Sequence, residues 1–178
     1  GGDFTRFGKQ EDAEDFNNWL GSVKNKFQHI VVVNGNHECN APWKNQTASL
    51  LSNATFLKQQ RVDLDVNTQC GHSRTLCVFG AEFSWSLGLG SRHPNYDAIP
   101  LETEVLVVHN PPKDTADGGK GCPAVLTRVK ELSSTPQLKL VVCGHLHFAH
   151  GKHTMKSGVV VVNAANANKG HGDMGWPV

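Results

Sequence analysis

Several classes of protein are excluded by what this chain does not contain. Its 178 residues hold five cysteines, Cys39, Cys70, Cys77, Cys122 and Cys143. The count is odd, the spacing is irregular and no C-x-x-C pair occurs, so no disulfide framework is written here and reduced thiols of an intracellular, cytoplasmic protein fit better. No apolar run approaches the roughly 20 residues that a membrane-spanning helix needs. Lysine and arginine number 17 against 16 acids, with no long block of one sign, which removes the electrostatic argument for a nucleic acid polymer or a membrane surface as partner. No basic stretch followed by an apolar one opens the chain, so no signal peptide is read. There is also no opening methionine, and Gly1 is read as the start of a fragment or of a processed form. No internal repeat is visible, and nothing speaks to the oligomeric state.

What is present is the composition of a folded domain: 38% hydrophobic and 19% charged residues, enough chain for one buried core. Histidine is the unusual residue in that composition, with ten copies.

The stretch at 30–38 organises the rest. Residues 30–33 are a β-branched run, read as a strand buried on both faces. It stops at Asn34-Gly35, a signal that also fits a plain hairpin turn, and Asn36, His37 and Glu38 follow at once. Upstream, the spacing of Phe16, Trp19, Leu20, Val23 and Phe27 predicts a helix over 11–27 with one apolar stripe. Its acids lie at the start and Lys24 and Lys26 at the end, as the macrodipole favours. Gly1, Gly2 and Asp3 before it read as the end of a strand.

Downstream, Leu50 and Leu51 are placed on a short helix. Residues 62–66 alternate as an edge strand with Asp63 and Asp65 in solvent, and 75–79 form its hairpin partner through Gly71. Residues 83–100 are a long loop rich in Gly, Ser, Trp and Pro, in which Trp85 either packs the loop down, the favoured reading, or lines a cleft. Gly88-Leu89-Gly90 lacks the rest of a dinucleotide loop and is set aside. Buried strands are predicted at 104–108, 138–143 and 159–162, with a helix at 123–132 opened by Pro123. Cys143 is read as a small core residue and Cys39 as a bystander.

A pattern recurs along this order. A buried strand stops and a metal-type ligand follows: Asp3, Asn36, His109 ahead of Pro111-Pro112, then His145 and His147 after Gly144. Strands alternating with helices bring their carboxyl ends to one edge, so these groups are expected to meet in one crevice. Carboxylate, amide oxygen and imidazole without thiolate suit Mn²⁺, Fe²⁺/Fe³⁺ or Zn²⁺ at a catalytic centre. Two such ions close together favour in-line phosphoryl displacement.

Gly2-Asp3, Gly35-Asn36-His37-Glu38, His109 and Gly144-His145-Leu146-His147, in this order and spacing, resemble the calcineurin-like metallophosphoesterases. The details Gly2-Asp3-Phe4-Thr5, His109-Asn110-Pro111-Pro112 and Gly121-Cys122 look like its small branch of metallophosphoesterase-domain-containing proteins. The resemblance implies an α/β fold, a β-sandwich flanked by helices, over residues 1–168, with 169–178 a flexible tail. It implies two divalent metal ions: Asp3 bridging them, Asn36, His109 and His145 completing the second site, and His147 on the first. His37 would contact the phosphate together with Asn36 and act as general acid to the leaving oxygen, while Glu38 orients its neighbours. A metal-bridging hydroxide would attack a phosphodiester, a cyclic nucleotide among the candidates, or a small phosphomonoester. The partner is therefore a small phosphate ester or nucleotide.

One departure stands against this. The family opens with an Asp-x-His motif on its first strand, and no aspartate here has a histidine two positions later. The chain reads as truncated at its N-terminus, without that strand. Arg6 also stands where a second aspartate is usual. The alternative reading is a catalytically impaired nucleotide-binding or scaffold protein of the same fold.

Overall fold

The computed structural model describes residues 1–68, 70–85, 90–168 and 173–174. In chain order the helices are α1 (Gln10–Val23), α2 (Asn36–Cys39), α3 (Thr47–Leu50), α4 (Pro94–Asp97) and α5 (Pro123–Leu132). The strands are β1 (Val31–Val32), β2 (Thr55–Phe56), β3 (Gln60–Asn67), β4 (Ser73–Ala81), β5 (Val105–Val108), β6 (Leu140–Cys143), β7 (Gly151–Thr154), β8 (Val160–Asn163), β9 (Ala167–Asn168) and β10 (Asp173–Met174).

Six strands form one mixed sheet in the order β3-β4-β5-β6-β8-β7. Its centre, from β4 to β8, is parallel, and the hairpins β3–β4 and β7–β8 make the two edges antiparallel. The period of two along each strand divides the core. On β5, Leu106 and Val108 enter the larger cluster with Val125, Val129 and Leu132 of α5 and Tyr96 of α4. Val107 of the same strand faces the other way, onto Val33, Leu57 and Val78. The second layer is the parallel ribbon β1–β2, and α1 covers its outer side through Leu20, Val32 and Leu51. The architecture is therefore helix, sheet, ribbon, helix: an α/β sandwich with helices outside. Gly80 marks how closely the two β layers approach, since a Cβ there would meet the Leu57 Cβ at 2.3 Å.

Some elements differ from expectation. The strand read at 30–33 hydrogen-bonds over two residues only, with β2 as its partner, rather than joining the main sheet. Its burial comes from layers above and below, which a β-branched run reports without saying how many neighbours pair with it. The helix expected to reach residue 27 gives way after Val23 to a 3-10 turn, Lys24–Lys26, and Phe27 is extended and exposed. Trp19 is exposed as well, stacked on Phe16. The buried positions of α1 are Ala13 and Leu20, because a small residue is what allows the helix to sit close to Ala41 and Trp43. The loop at 83–100 contains the one-turn helix α4, capped by the His93 side chain, which accepts from the Asn95 N–H. The predicted β3–β4 hairpin and the solvent placement of Asp63 and Asp65 are present. Gly88 and Leu89 lie outside the described residues, as does the tail at 169–178 apart from the short pairing of β10 with β9. Among the described residues no helix is long and apolar enough to cross a membrane.

Candidate metal centre

Parallel strands place their carboxyl ends at one edge, and the segments after β1, β5 and β6 meet there with residues 1–5. Asp3, His109 and His145 each offer a ligand atom, all within 4.8 Å of one another. His109 is the hub. Its Nε2 lies 3.3 Å from Asp3 Oδ2, 3.0 Å from Asn36 Oδ1 and 3.1 Å from His145 Nδ1. Its Nδ1 is 2.6 Å from the Gly1 carbonyl oxygen, which can only accept. The ring proton therefore sits on Nδ1 and the Nε2 lone pair points into the cluster. A carboxylate, an amide oxygen and two imidazole nitrogens thus converge on one point. That donor set fits a borderline divalent cation.

The backbone is shaped to make this convergence. Asp3 and His145 both have positive φ, 55° and 66°, a conformation that non-glycine residues adopt sparingly and that clusters at functional sites. Glu38 holds the first of these turns. It is fully buried, and its Oε2 accepts from the N–H of Asp3 at 2.8 Å and of Gly35 at 2.9 Å. Its Oε1 accepts from the Thr5 N–H at 2.9 Å and the Thr5 hydroxyl at 2.6 Å. The N–H of His37 in turn donates to Asp3 Oδ1 at 3.0 Å. Gly35 is required here: a Cβ would lie 2.2 Å from Asp3 Oδ1.

Electrostatics follow from burial. Desolvation alone would push the Asp3 carboxyl up, but a His109 ring that is also protonated on Nε2, together with the His37 N–H, outweighs it and holds the carboxyl below the usual range. His145 is pushed down to about 4, first by burial and then by the neighbouring His109, so its imidazole is neutral and available at neutral pH. The thiol of Cys39, beside the centre at Phe83, is pushed up to about 12 by burial and by Glu82. A thiol so held stays protonated at neutral pH, which fits the reading of Cys39 as a bystander. Cys143 is likewise a buried core thiol.

Of the six residues singled out beforehand, Asp3, Asn36, His109 and His145 come together. His37 stands at the border, its Nε2 4.0 Å from Asp3 Oδ2 and its Nδ1 2.8 Å from the Thr5 carbonyl. By the same argument as for His109, Nδ1 carries the proton and Nε2 faces the centre. His147 is outside the three-residue group; it opens the turn His147–Ala149, close enough for its charge to act on His145.

Sequence reasoning missed two contributors. Asn163, buried at the end of β8, directs Nδ2 at the carbonyls of Ala116, Leu146 and Ala149 and accepts from the Ala165 N–H. It ties down the turn carrying His145 and His147. The signal was available: like the ligands, Asn163 is a polar residue at the end of a buried strand. Phe83 is the other, buried, with its ring 5.7 Å from His109 and 5.6 Å from His145.

Comparison with known proteins bears on this centre. The family model for calcineurin-like phosphoesterases matches residues 1–149. A UPF0046 protein of Caenorhabditis elegans is 29% identical over 96% of this chain, which spans 62% of that protein. Metallophosphoesterase domain-containing protein 1 of Homo sapiens is 24% identical over 84% of this chain, which spans 53% of that protein. A probable rhamnogalacturonate lyase C of Emericella nidulans is 30% identical over 86% of this chain, which covers only 15% of that protein. Among solved structures, GAP50, the anchor in the inner membrane complex of Plasmodium, shares the fold with a TM-score of 0.55 at 10% identity. That match covers 99% of this chain and 73% of the other.

Proposed function

This chain belongs to the calcineurin-like phosphoesterase family, and from that premise we propose that it hydrolyses a small phosphodiester or phosphomonoester, nucleotides included, with divalent cations held at the centre. The observation that carries the reading is the inward-facing set Asp3, Asn36, His109 and His145 around one point. These four side chains would hold a cation, with His147 serving a second. Bound cations supply hydroxide near neutral pH and offset the charge of the phosphate. The protein's own residues do the rest. Glu38, itself held by Thr5, fixes the Asp3 backbone, and the Gly1 carbonyl fixes the proton of His109 on Nδ1. The Thr5 carbonyl accepts the Nδ1–H of His37 and so orients the ring; in its doubly protonated form His37 would present Nε2–H to the leaving ester oxygen, hand it that proton and be left neutral with its proton on Nδ1.

The test is turnover of bis(p-nitrophenyl) phosphate with Mn²⁺. Metal-dependent release of nitrophenolate is expected, lost in Asp3→Asn and His109→Ala. His37→Ala is expected to lower turnover by about 10²–10⁴ while cation binding persists. Loss of cation binding in that variant would overturn its role. A second reading has one observation in its favour: among the described residues the ligand group serves one cation, with His147 outside it. A non-catalytic nucleotide-binding or scaffold protein needs no more. One Mn²⁺ per chain in a calorimetric titration, without turnover, would favour that reading; two with turnover would exclude it.

A further inference from the structure

Single exposed apolar residues are ordinary on a protein surface, but several around one polar centre are not. Among the described residues six large apolar side chains are exposed, and three of them, Phe7 at 72%, Trp85 at 59% and Phe148 at 65%, lie in segments that neighbour residues of the proposed site: Phe7 against His37, Trp85 against Phe83, and Phe148 next in sequence to His147. The Phe7 ring lies 5.2 Å from that of His37. Trp85 sits edge-on to Phe83, with ring centroids 4.7 Å apart, and Phe83 in turn contacts His109 and His145. Trp85 was expected to pack its loop down; it does touch Phe83, yet more than half of it stays in solvent. Phe148 directly follows His147 in the same 3-10 turn. Its ring is backed by Gly118, where a Cβ would come within 2.3 Å of Cε2, and Lys120 Nζ stands 5.5 Å from the ring centroid.

We propose that Phe7, Trp85 and Phe148 form an aromatic rim that binds a planar aromatic ring carried by the substrate close to its phosphate. This rests on the phosphoesterase reading above. The cation set takes the anionic phosphate, and the rim takes what is attached to it. Exposed ring faces beside a charged centre are suited to stacking, which any planar π-system satisfies, and Lys120 adds positive charge at the same border. An aryl ester and a nucleobase present the same chemistry to such a rim. A plain sugar phosphate or alkyl phosphate offers no planar face to stack. Leaving those rings in water without a ligand is unfavourable, which is the physical reason to look for one.

The experiment is equilibrium binding by calorimetry to the full chain at fixed Mn²⁺, using two matched pairs of non-hydrolysable probes. One pair is phenylphosphonate against methylphosphonate. The other is an adenine nucleoside phosphonate against its ribose counterpart without the base. The expected result is about tenfold tighter binding of the ring-bearing member in at least one pair, and the pair that discriminates identifies the source of the ring. Trp85→Ala, Phe7→Ala or Phe148→Ala should shrink that ratio several-fold, whereas Trp19→Ala, an exposed aromatic of α1, should not. Equal affinities within both pairs, or a ratio untouched by all three rim variants, overturns the proposal. The two readings fail separately. Ring discrimination without any metal-dependent hydrolysis sinks the phosphoesterase reading alone, and hydrolysis without ring discrimination sinks the rim alone.

Discussion

Replacing Glu38 by glutamine tests whether the centre is held together by one buried carboxylate. The side chain keeps its shape, so only hydrogen-bond chemistry changes. Glu38 accepts four bonds, two on each oxygen, from the N–H groups of Asp3, Gly35 and Thr5 and from the Thr5 hydroxyl. An amide must turn its NH₂ toward one of those pairs. The less costly choice is Thr5, whose hydroxyl can rotate and accept, although the Thr5 N–H then faces a donor. A buried donor left without an acceptor costs about 1–3 kcal/mol, and bonds to a charged acceptor exceed neutral ones by about 1 kcal/mol each. The contributions do not add fully within one network, so the expected loss is about 3 kcal/mol. That is a large share of the roughly 5–15 kcal/mol that keeps a domain folded. Urea unfolding at neutral pH reads it directly. Calorimetry should show Mn²⁺ affinity falling by about 10–100-fold, as for other groups that orient ligands, because Asp3 loses the anchor of its positive-φ turn. A loss below about 1 kcal/mol with unchanged cation affinity would refute the reasoning.

Further outcomes follow from other residues. Asn163→Ala removes donors from the carbonyls of Ala116, Leu146 and Ala149 and should cost about 2 kcal/mol in urea. Asn163→Asp, which turns an acceptor toward those carbonyls, should cost more, and the reverse order would contradict the assignment. Asp117 is buried, which alone would push its carboxyl up, but the N–H groups of Gly121, Gly119 and Asp114 outweigh that and hold it below the ordinary 3.8. A depressed carboxyl contributes stability above its unfolded value and loses it as the pH falls through the folded one. The difference in urea midpoint between the protein and Asp117→Asn should therefore be full at about pH 7 and smaller at about pH 3; a difference that grows in acid would be the wrong sign.

How far the sequence could be read depended on the range of the interaction involved. The strands at 104–108 and 138–143 were legible because β-branched runs stopped by proline or glycine report burial locally, and they correspond to β5 and β6. His109 and His145 follow those stops, so their convergence came from parallel pairing alone. Asn36 could be placed in the same way, because β1 still ends at the shared edge although it pairs only with β2. What could not be read depended on tertiary packing. The stripe on α1 had the right period, but whether Trp19 or Ala13 is covered depends on how near Trp43 stands. Three of the four bonds to Glu38, those from Asp3 and Thr5, reach across 33 to 35 residues of chain, and the one local bond, from the Gly35 N–H, does not by itself announce a buried glutamate. Asn163 gave the same local signal as the ligands, yet it serves carbonyls instead of a cation because loops, not lone pairs, surround it.

His37 and His109 show how one device yields two kinds of histidine. Each donates its Nδ1–H to a backbone carbonyl, Thr5 in one case and Gly1 in the other, and each turns Nε2 toward Asp3. The difference lies in what surrounds that nitrogen. His109 is wholly buried, with Asp3 Oδ2, Asn36 Oδ1 and His145 Nδ1 all within 3.3 Å of its Nε2; a group so fixed has no room to meet a substrate and is placed to share a cation. The His37 side chain keeps 28% of its surface in solvent and stands 4.0 Å from the carboxylate, out of hydrogen-bond range. Proton transfer needs a ring that reaches both the reacting oxygen and the solvent that restores the proton. Exposure therefore separates the two roles where residue type and tautomer do not, and it supports giving the acid to His37 and the cation to His109.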